Sequence, residues 1–474
     1  MLPLFILIPL TGVVLLNLPF AGALRKRAFA LVVLLSAMQA AVVVVHPAGF
    51  WAETSLMDRF LALDLKAGQL SLVMLLSIGI ALFAAAMVGH CTFRDDRQRS
   101  HFVSVLLISL IGMNGAVLVA DLFSLYVFLE VTSVASFVLI AFNRDLRGLE
   151  GAFKYIVLSA VATVLMVSAV ALLMMMAGGT GFGQVKAALE AGQGATLARL
   201  ATGAFVCGLF IKGGLVPFHG WVLGAYSAAP APASVLLAGI ATKVTGVYGL
   251  VRLVVTVFPA SETINQVLML VGAVSIVVGA LAALGQRDVK RLLAYSSISQ
   301  VGYIVLGLGC GTPLGIAGAI FHLFNHSVFK SLLFVNAAAL EGQLGTTEMD
   351  RMGGLGQKMP VTGVTSVIGV LSTAGVPPLS GFWSKLVIIV ALWQAYHHAY
   401  AVIAVLFSLV TLAYLLVLQR KVFFGKTSDS LAGVREAPRE VVAAALVLAG
   451  LTLGIGLLFP LLVHTFLLPM SGVF

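Results

Sequence analysis

Apolar runs of about twenty residues recur along nearly the whole chain, separated by charged or Gly/Pro punctuation. A run of that length crosses the roughly 30 Å hydrocarbon core of a bilayer as one helix. Fourteen such spans are legible, near 3–22, 28–46, 69–90, 101–119, 121–142, 152–177, 197–225, 233–258, 264–284, 289–309, 313–341, 360–397, 400–424 and 439–466. The seventh, eleventh and twelfth are long for one straight crossing, which predicts breaks or tilt. Of 474 residues, 60% are hydrophobic and 10% are charged, against about 25% charged in a soluble domain. The expected fold is an all-α integral membrane protein with no large soluble domain.

Loop charges test this division. One set of alternate loops holds 19 Lys and Arg and the other holds 5, leaving Lys212, Lys243, Lys330 and Lys385 inside predicted spans. A missed or invented helix would scramble that asymmetry. The positive-inside rule then places the richer loops in the cytoplasm and both termini outside. Arg25, Lys26 and Arg27 follow the first apolar run instead of preceding it, so that run reads as a transmembrane helix and not as a signal peptide. The net charge of +10 is spread over short loops, which suits lipid headgroups and not nucleic acid. Cys91, Cys207 and Cys310 stand apart, so neither a disulfide nor an iron–sulfur cluster is expected, and the chain is expected to carry no cofactor.

The stretch from Phe205 to Arg252 departs most from a plain apolar helix. It contains Lys212 and Lys243, with Gly213, Gly214, Pro217, Gly220, Pro230 and Pro232 between them. A lysine near the bilayer centre costs roughly 2.5–3.5 kcal/mol on insertion scales. Interrupted helices at that depth must have their backbone groups met by protein or by a water-filled cavity. Val216-Pro217-Phe218-His219-Gly220-Trp221 is echoed 161 residues later by Pro377-Pro378-Leu379-Ser380-Gly381-Phe382 in the twelfth span. Five helices separate the two. An odd number inverts the copy, as in transporters built around a midplane site.

The candidate chemistry is one ionisable site per helix. Glu130, nine residues and about 14 Å of helix past Asp121, is too deep to snorkel easily and needs a cation, for which Lys212 is the best candidate. Burial disfavours a charged lysine and a neighbouring carboxylate favours it, so neutralising Glu130 would switch Lys212. Lys243 lies about 16 Å of helix past Pro232. His322, His326 and Lys330 follow at i, i+4 and i+8, on one helical face. Two histidines so spaced could bind a metal, but no carboxylate or thiol is near in sequence, and a proton relay suits them better. Lys385 follows the twelfth-span break, with snorkelling as its plainer reading, and His219 lies within the seventh-span break. Lysines can pass protons but cannot coordinate sodium, so the series favours H⁺. No metal site is expected.

These residues resemble the antiporter-like membrane subunits shared by respiratory complex I, energy-converting membrane-bound hydrogenases and Mrp-type cation/proton antiporters. The resemblance covers roughly residues 100–425. It rests on Glu130, on K-G-G-L-V-P-F-H-G-W with A-P-A-P-A-S and the Lys243 segment, on D-V-K-R-L-L-A-Y-S-S-I-S-Q-V-G-Y, on H-S-V-F-K-S-L-L-F, and on G-V-P-P-L-S-G-F-W-S-K. It implies about fourteen helices with two inverted five-helix repeats and broken seventh and twelfth helices. The divisions are then 1–100, a first repeat at 101–258, a second at 259–424, and a polar loop with a last helix at 425–474. It also implies that Glu130, Lys212, Lys243, His322, His326, Lys330 and Lys385 line a proton path.

The expected function is proton translocation within a redox-driven membrane complex, with no redox chemistry in this chain. The expected partners are other membrane subunits, including homologous antiporter-like ones, a redox module and the lipid bilayer, in a bacterial or archaeal cell membrane. The rival is a Na⁺(K⁺)/H⁺ antiporter subunit without electron transfer. Solute carriers and quinone-binding enzymes fit less well, because no substrate pocket or redox centre is legible.

Overall fold

The structure, a computed structural model, describes residues 2–19, 22–46, 63–192, 194–425, 431 and 433–463. The sequence from Trp51 to Lys66 reads as an amphipathic segment at the outer surface and His464 as an interfacial residue; the first lies mostly, and the second wholly, outside the described residues.

The described chain is helical. In order, the elements are α1 Leu4–Asn17, α2 Gly22–Lys26, α3 Ala28–Val45, α4 Gln69–Thr92, α5 Asp96–Leu118, α6 Leu122–Ile140, α7 Leu146–Ala177, α8 Phe182–Glu190 and α9 Ala195–Gly213. Then come α10 Gly220–Ala228, α11 Ala231–Thr256, α12 Glu262–Leu284, α13 Val289–Gly309 and α14 Pro313–Leu344. The last four long elements are α15 Pro360–Ala374, α16 Ser380–Gln394, α17 His398–Val422 and α18 Arg439–Leu457. Among the described residues, 12 helices are long and apolar enough to span a membrane, and α1, α15 and α16 are shorter apolar helices. Extended pairing among them is confined to isolated bridges such as Asp121 with Gly181 and Asp288 with Glu348.

Local sequence explains many helix starts. The side chains of Asp95, Asp121, Asp145, Asp288 and Thr312 each accept a hydrogen bond from the backbone N–H three residues on, capping α5, α6, α7, α13 and α14. Small residues then let helices touch. A side chain at Gly272 or Gly279 of α12 would strike the backbone of α13, which is the close approach that small residues permit in membrane bundles.

Burial sorts the bundle. The hydrophobic windows of α11, α13 and α14 are 100%, 94% and 89% buried, whereas that of α7 is 33% buried and turns an apolar face outward. The innermost helices thus carry Lys243 and the His322–Lys330 stripe. Two basic residues counted with the loops belong inside instead. Lys290 lies in the first turn of α13 and Arg252 in the last turns of α11, and both are buried. Sequence reading placed them at boundaries, which are the least certain part of any such division.

Both lysine-bearing breaks are built alike. α9 ends at Gly214 and α15 at Gly375, each in the left-handed conformation that glycine adopts without a Cβ clash. In each, the following N–H, from Leu215 or Val376, reaches back five residues to the carbonyl of Phe210 or Leu371. A cis X-Pro bond follows, at Val216-Pro217 and Pro377-Pro378. The Trp221 indole donates to the Ile211 carbonyl (3.0 Å), which also accepts from the Gly214 N–H, so a side chain beyond the first break helps to satisfy the helix end.

Candidate functional site

Glu130 on α6 and Lys212 at the end of α9 face one another, with Oε1 and Nζ 3.0 Å apart. Lys212 is sealed from solvent, while the Glu130 side chain keeps 22% of its exposure. The Lys212 ammonium also donates to Ser133 Oγ (2.9 Å) and Ser159 Oγ (3.0 Å), and Thr163 Oγ1 donates to Glu130 (2.8 Å). Ser133 stands three residues past Glu130 and Thr163 four past Ser159, so each helix supplies two polar groups to the same face. The hydroxyl of buried Tyr155 faces both Ser133 and Thr245 and closes a strict hydrogen bond to neither. Thr245 is on α11, so this phenol stands between the ion pair and the next lysine.

Lys243 occupies an unusual stretch of that helix. Leu237–Ala241 and Lys243–Tyr248 are π-helical, a geometry that is rare and gathers at functional sites. The Lys243 ammonium donates to the carbonyl of Ala238, five residues back, and lies 5.5 Å from the centre of the Tyr226 ring. The segment is pressed between two neighbours. A Cβ on Gly246 would overlap the backbone of Gly213, and one on Gly239 would overlap the Ser331 hydroxyl beside Lys330. α11 is therefore wedged between the Lys212 helix and the Lys330 helix.

On α14, His322, His326 and Lys330 are all fully buried. Lys330 donates to Ser296 Oγ (2.8 Å) and the Leu293 carbonyl (3.3 Å) of α13. His322 Nδ1 shares a hydrogen bond with Ser384 Oγ (2.8 Å), one residue before Lys385. Among the described residues, His326 has no hydrogen-bond partner on either ring nitrogen, and it lies within electrostatic range of Lys243, Lys330, His322 and Lys385. Lys385 turns inward instead of snorkelling. It donates to the Thr373 carbonyl (2.9 Å), and its ammonium sits 4.5 Å from the centre of the Tyr303 ring.

The structure thus brings the seven sequence candidates into two groups, Glu130 with Lys212 and the remaining five around His326. His219 stays half-buried in the first break. Sequence reasoning missed Ser133, Ser159, Tyr155, Tyr303 and Ser384, which are common residue types at these positions, and it missed the π-helical backbone, which no residue type announces. Among the described residues, no group of three His, Cys, Asp or Glu is placed to hold a metal ion.

Such a molecule is a multi-pass integral membrane protein with a line of ionisable side chains sealed inside it. The chain belongs to the NADH:quinone oxidoreductase/Mrp antiporter transmembrane family, whose model matches residues 119–411. It is 34% identical over 357 residues to NADH-quinone oxidoreductase subunit N of Desulforudis audaxviator, covering 75% of this chain and 70% of that one. It is also 34% identical over 322 residues to an Na(+)/H(+) antiporter subunit of Alkalihalophilus pseudofirmus, covering 68% of this chain and 65% of that one. Among solved structures, a chain of the Mrp complex from Dietzia superposes with a TM-score of 0.89 at 26% identity, covering 100% of this chain and 96% of that one.

Proposed function

We propose that this chain is an antiporter-like subunit that translocates protons within a redox-driven membrane complex of the complex I or membrane-bound hydrogenase kind. The observation that carries the proposal is the 3.0 Å Glu130–Lys212 pair, followed inward by Lys243, His326, Lys330 and Lys385 in one buried cluster. A buried ammonium is tolerable beside a carboxylate and disfavoured without one. When Glu130 is neutralised or drawn away, Lys212 releases its proton past Ser133 and Tyr155 toward Lys243. The cluster passes it on through His322, His326 and Lys330 to Lys385. Buried polar atoms without a partner among the described residues, including both amide atoms of Gln300 and both ring nitrogens of His326, favour a hydrated route, because each costs about 1–3 kcal/mol unless it is met.

The same reading takes the twelve long spans, α1, and α15 with α16 together as fourteen crossings. It takes 101–258 and 259–424 as inverted repeats, supported by the matched ends of α9 and α15 and by the register of Gly214 with Gly375 and Pro217 with Pro378. Both termini then face outward in a bacterial or archaeal cell membrane. The partners are further membrane subunits, some of them homologous to this chain, and a redox module that supplies the driving energy.

A second reading is a Na⁺(K⁺)/H⁺ antiporter subunit of an Mrp-type assembly without electron transfer. The likeness to the Dietzia Mrp chain and the Alkalihalophilus subunit favours it. Isolation of the native assembly through a tag on this chain, in mild detergent, separates the two. Iron–sulfur or flavin spectra in the assembly, with proton uptake during electron flow, support the redox-driven reading. An assembly free of redox centres that exchanges Na⁺ for H⁺ supports the other.

A further inference from the structure

Lys290 is a fully buried cation that the path described so far does not use. It lies in the first turn of α13, and its ammonium is 2.6 Å from Glu341 Oε2 on the last turn of α14. The Lys290 side chain is 2% exposed and the Glu341 side chain 37%. That is the arrangement of Glu130 and Lys212 again: a sealed lysine behind a carboxylate that reaches the surface. Lys290 also donates to the carbonyl of Ala229, in the turn between α10 and α11 (3.3 Å).

What lies inward of Lys290 gives the pair a direction. Leu293 is one helical turn further along α13 and Ser296 nearly two, and these are the two groups that hold Lys330. Tyr414 donates to the same Ser296 hydroxyl (2.9 Å). From Lys290 to Ser296 the rise along the helix is about 9 Å, short enough for a chain of two or three hydrogen-bonded groups. The rim is held in place by α13's own start, where Asp288 caps the helix and accepts from Thr347 Oγ1 just past Glu341's helix.

We propose that Glu341 and Lys290 are a second proton-transfer pair, which connects Lys330 to the surface at the end of α14 and acts in series with the Glu130–Lys212 pair. The proposal rests on the proton-translocating reading above. It assigns proton transfer to two residues outside that reading and gives the second half of the molecule its own mouth.

The test uses the native assembly isolated through a tag on this chain and reconstituted into pyranine-loaded liposomes. A potassium diffusion potential set with valinomycin drives proton entry. Glu341→Gln, Glu341→Asp and Lys212→Met are compared with the wild type at equal assembly yield and thermal midpoint. The pair predicts that Glu341→Gln lowers flux by about a hundredfold or more, the scale of a positioned proton-transfer group, and that Glu341→Asp restores most of it. A Glu341→Gln flux within twofold of the wild type while Lys212→Met is inactive overturns the pair and leaves the proton reading intact. Equal losses in Gln and Asp variants also overturn it, since they mark a clamp that needs only the glutamate's shape. Loss in Glu341→Gln with normal flux in Lys212→Met overturns the series arrangement and, with it, the Glu130–Lys212 route.

Discussion

Gly213 and Gly246 meet backbone to backbone, one residue past Lys212 and three past Lys243. A side chain on Gly246 would overlap the Gly213 backbone, so the position of one lysine-bearing segment dictates that of the other. Gly246→Ala forces α9 and α11 apart. Overpacking of this kind costs about 1–3 kcal/mol. The expected result is a lower thermal midpoint in detergent together with reduced proton flux, whereas Gly203→Ala on α9, where a Cβ meets open space, changes neither.

Glu130 and Lys212 should behave as one unit. Glu130→Gln leaves a sealed ammonium without its counterion, and Lys212→Met removes the charge altogether. Groups in direct contact are not additive. The double variant is therefore expected to lose no more flux than Lys212→Met alone and to be more stable than Glu130→Gln, as read from paired flux and thermal measurements.

Lys385 separates charge from proton release. Arginine is in effect always protonated, so Lys385→Arg preserves a cation over Tyr303 but cannot hand on a proton. Proton flux is expected to fall about as far as in Lys385→Met, while assembly yield stays closer to the wild type. Full activity in Lys385→Arg would show that the site supplies field and not protons.

One surface cluster carries a pH dependence. Asp350, in the turn Met349–Arg351, is held below its ordinary value of 3.8 by the hydrogen bond from Lys421, with Arg287 adding to the effect. A lowered folded-state value means that the tie between this turn and α17 is present above the ordinary carboxylate range and is lost as pH falls through the lowered value. Amide exchange of residues 346–352 is expected to accelerate in that acid window while exchange in α13 and α14 stays slow.

Much of this was legible because membrane burial leaves strong marks. Apolar runs located the helices, and Gly214, Pro217, Pro377 and Pro378 located the two breaks, since those residues end helices for steric reasons. Lys212, Lys243, Lys330 and Lys385 stood out because charge in an apolar run is costly. What stayed hidden was equally physical. Lys290 follows an N-cap aspartate at a helix start, where a basic residue ordinarily meets water, and only the packing of α14 over it shows that it is sealed. The π-helical turns of α11 contain Gly239 and Gly246, where the helix presses on its neighbours, and residue preference does not encode them. Ser133, Ser159 and Ser384 are ordinary membrane-helix residues until a lysine or a histidine arrives beside them.

The central claim is that this chain passes protons by way of a buried lysine. Its most direct test is potential-driven proton entry into liposomes holding the native assembly in sodium-free medium, for wild type and Lys212→Met. The account predicts acidification by the wild type without sodium and its loss in Lys212→Met at equal assembly yield. Flux that requires sodium, or that persists at the wild-type rate in Lys212→Met, would contradict it.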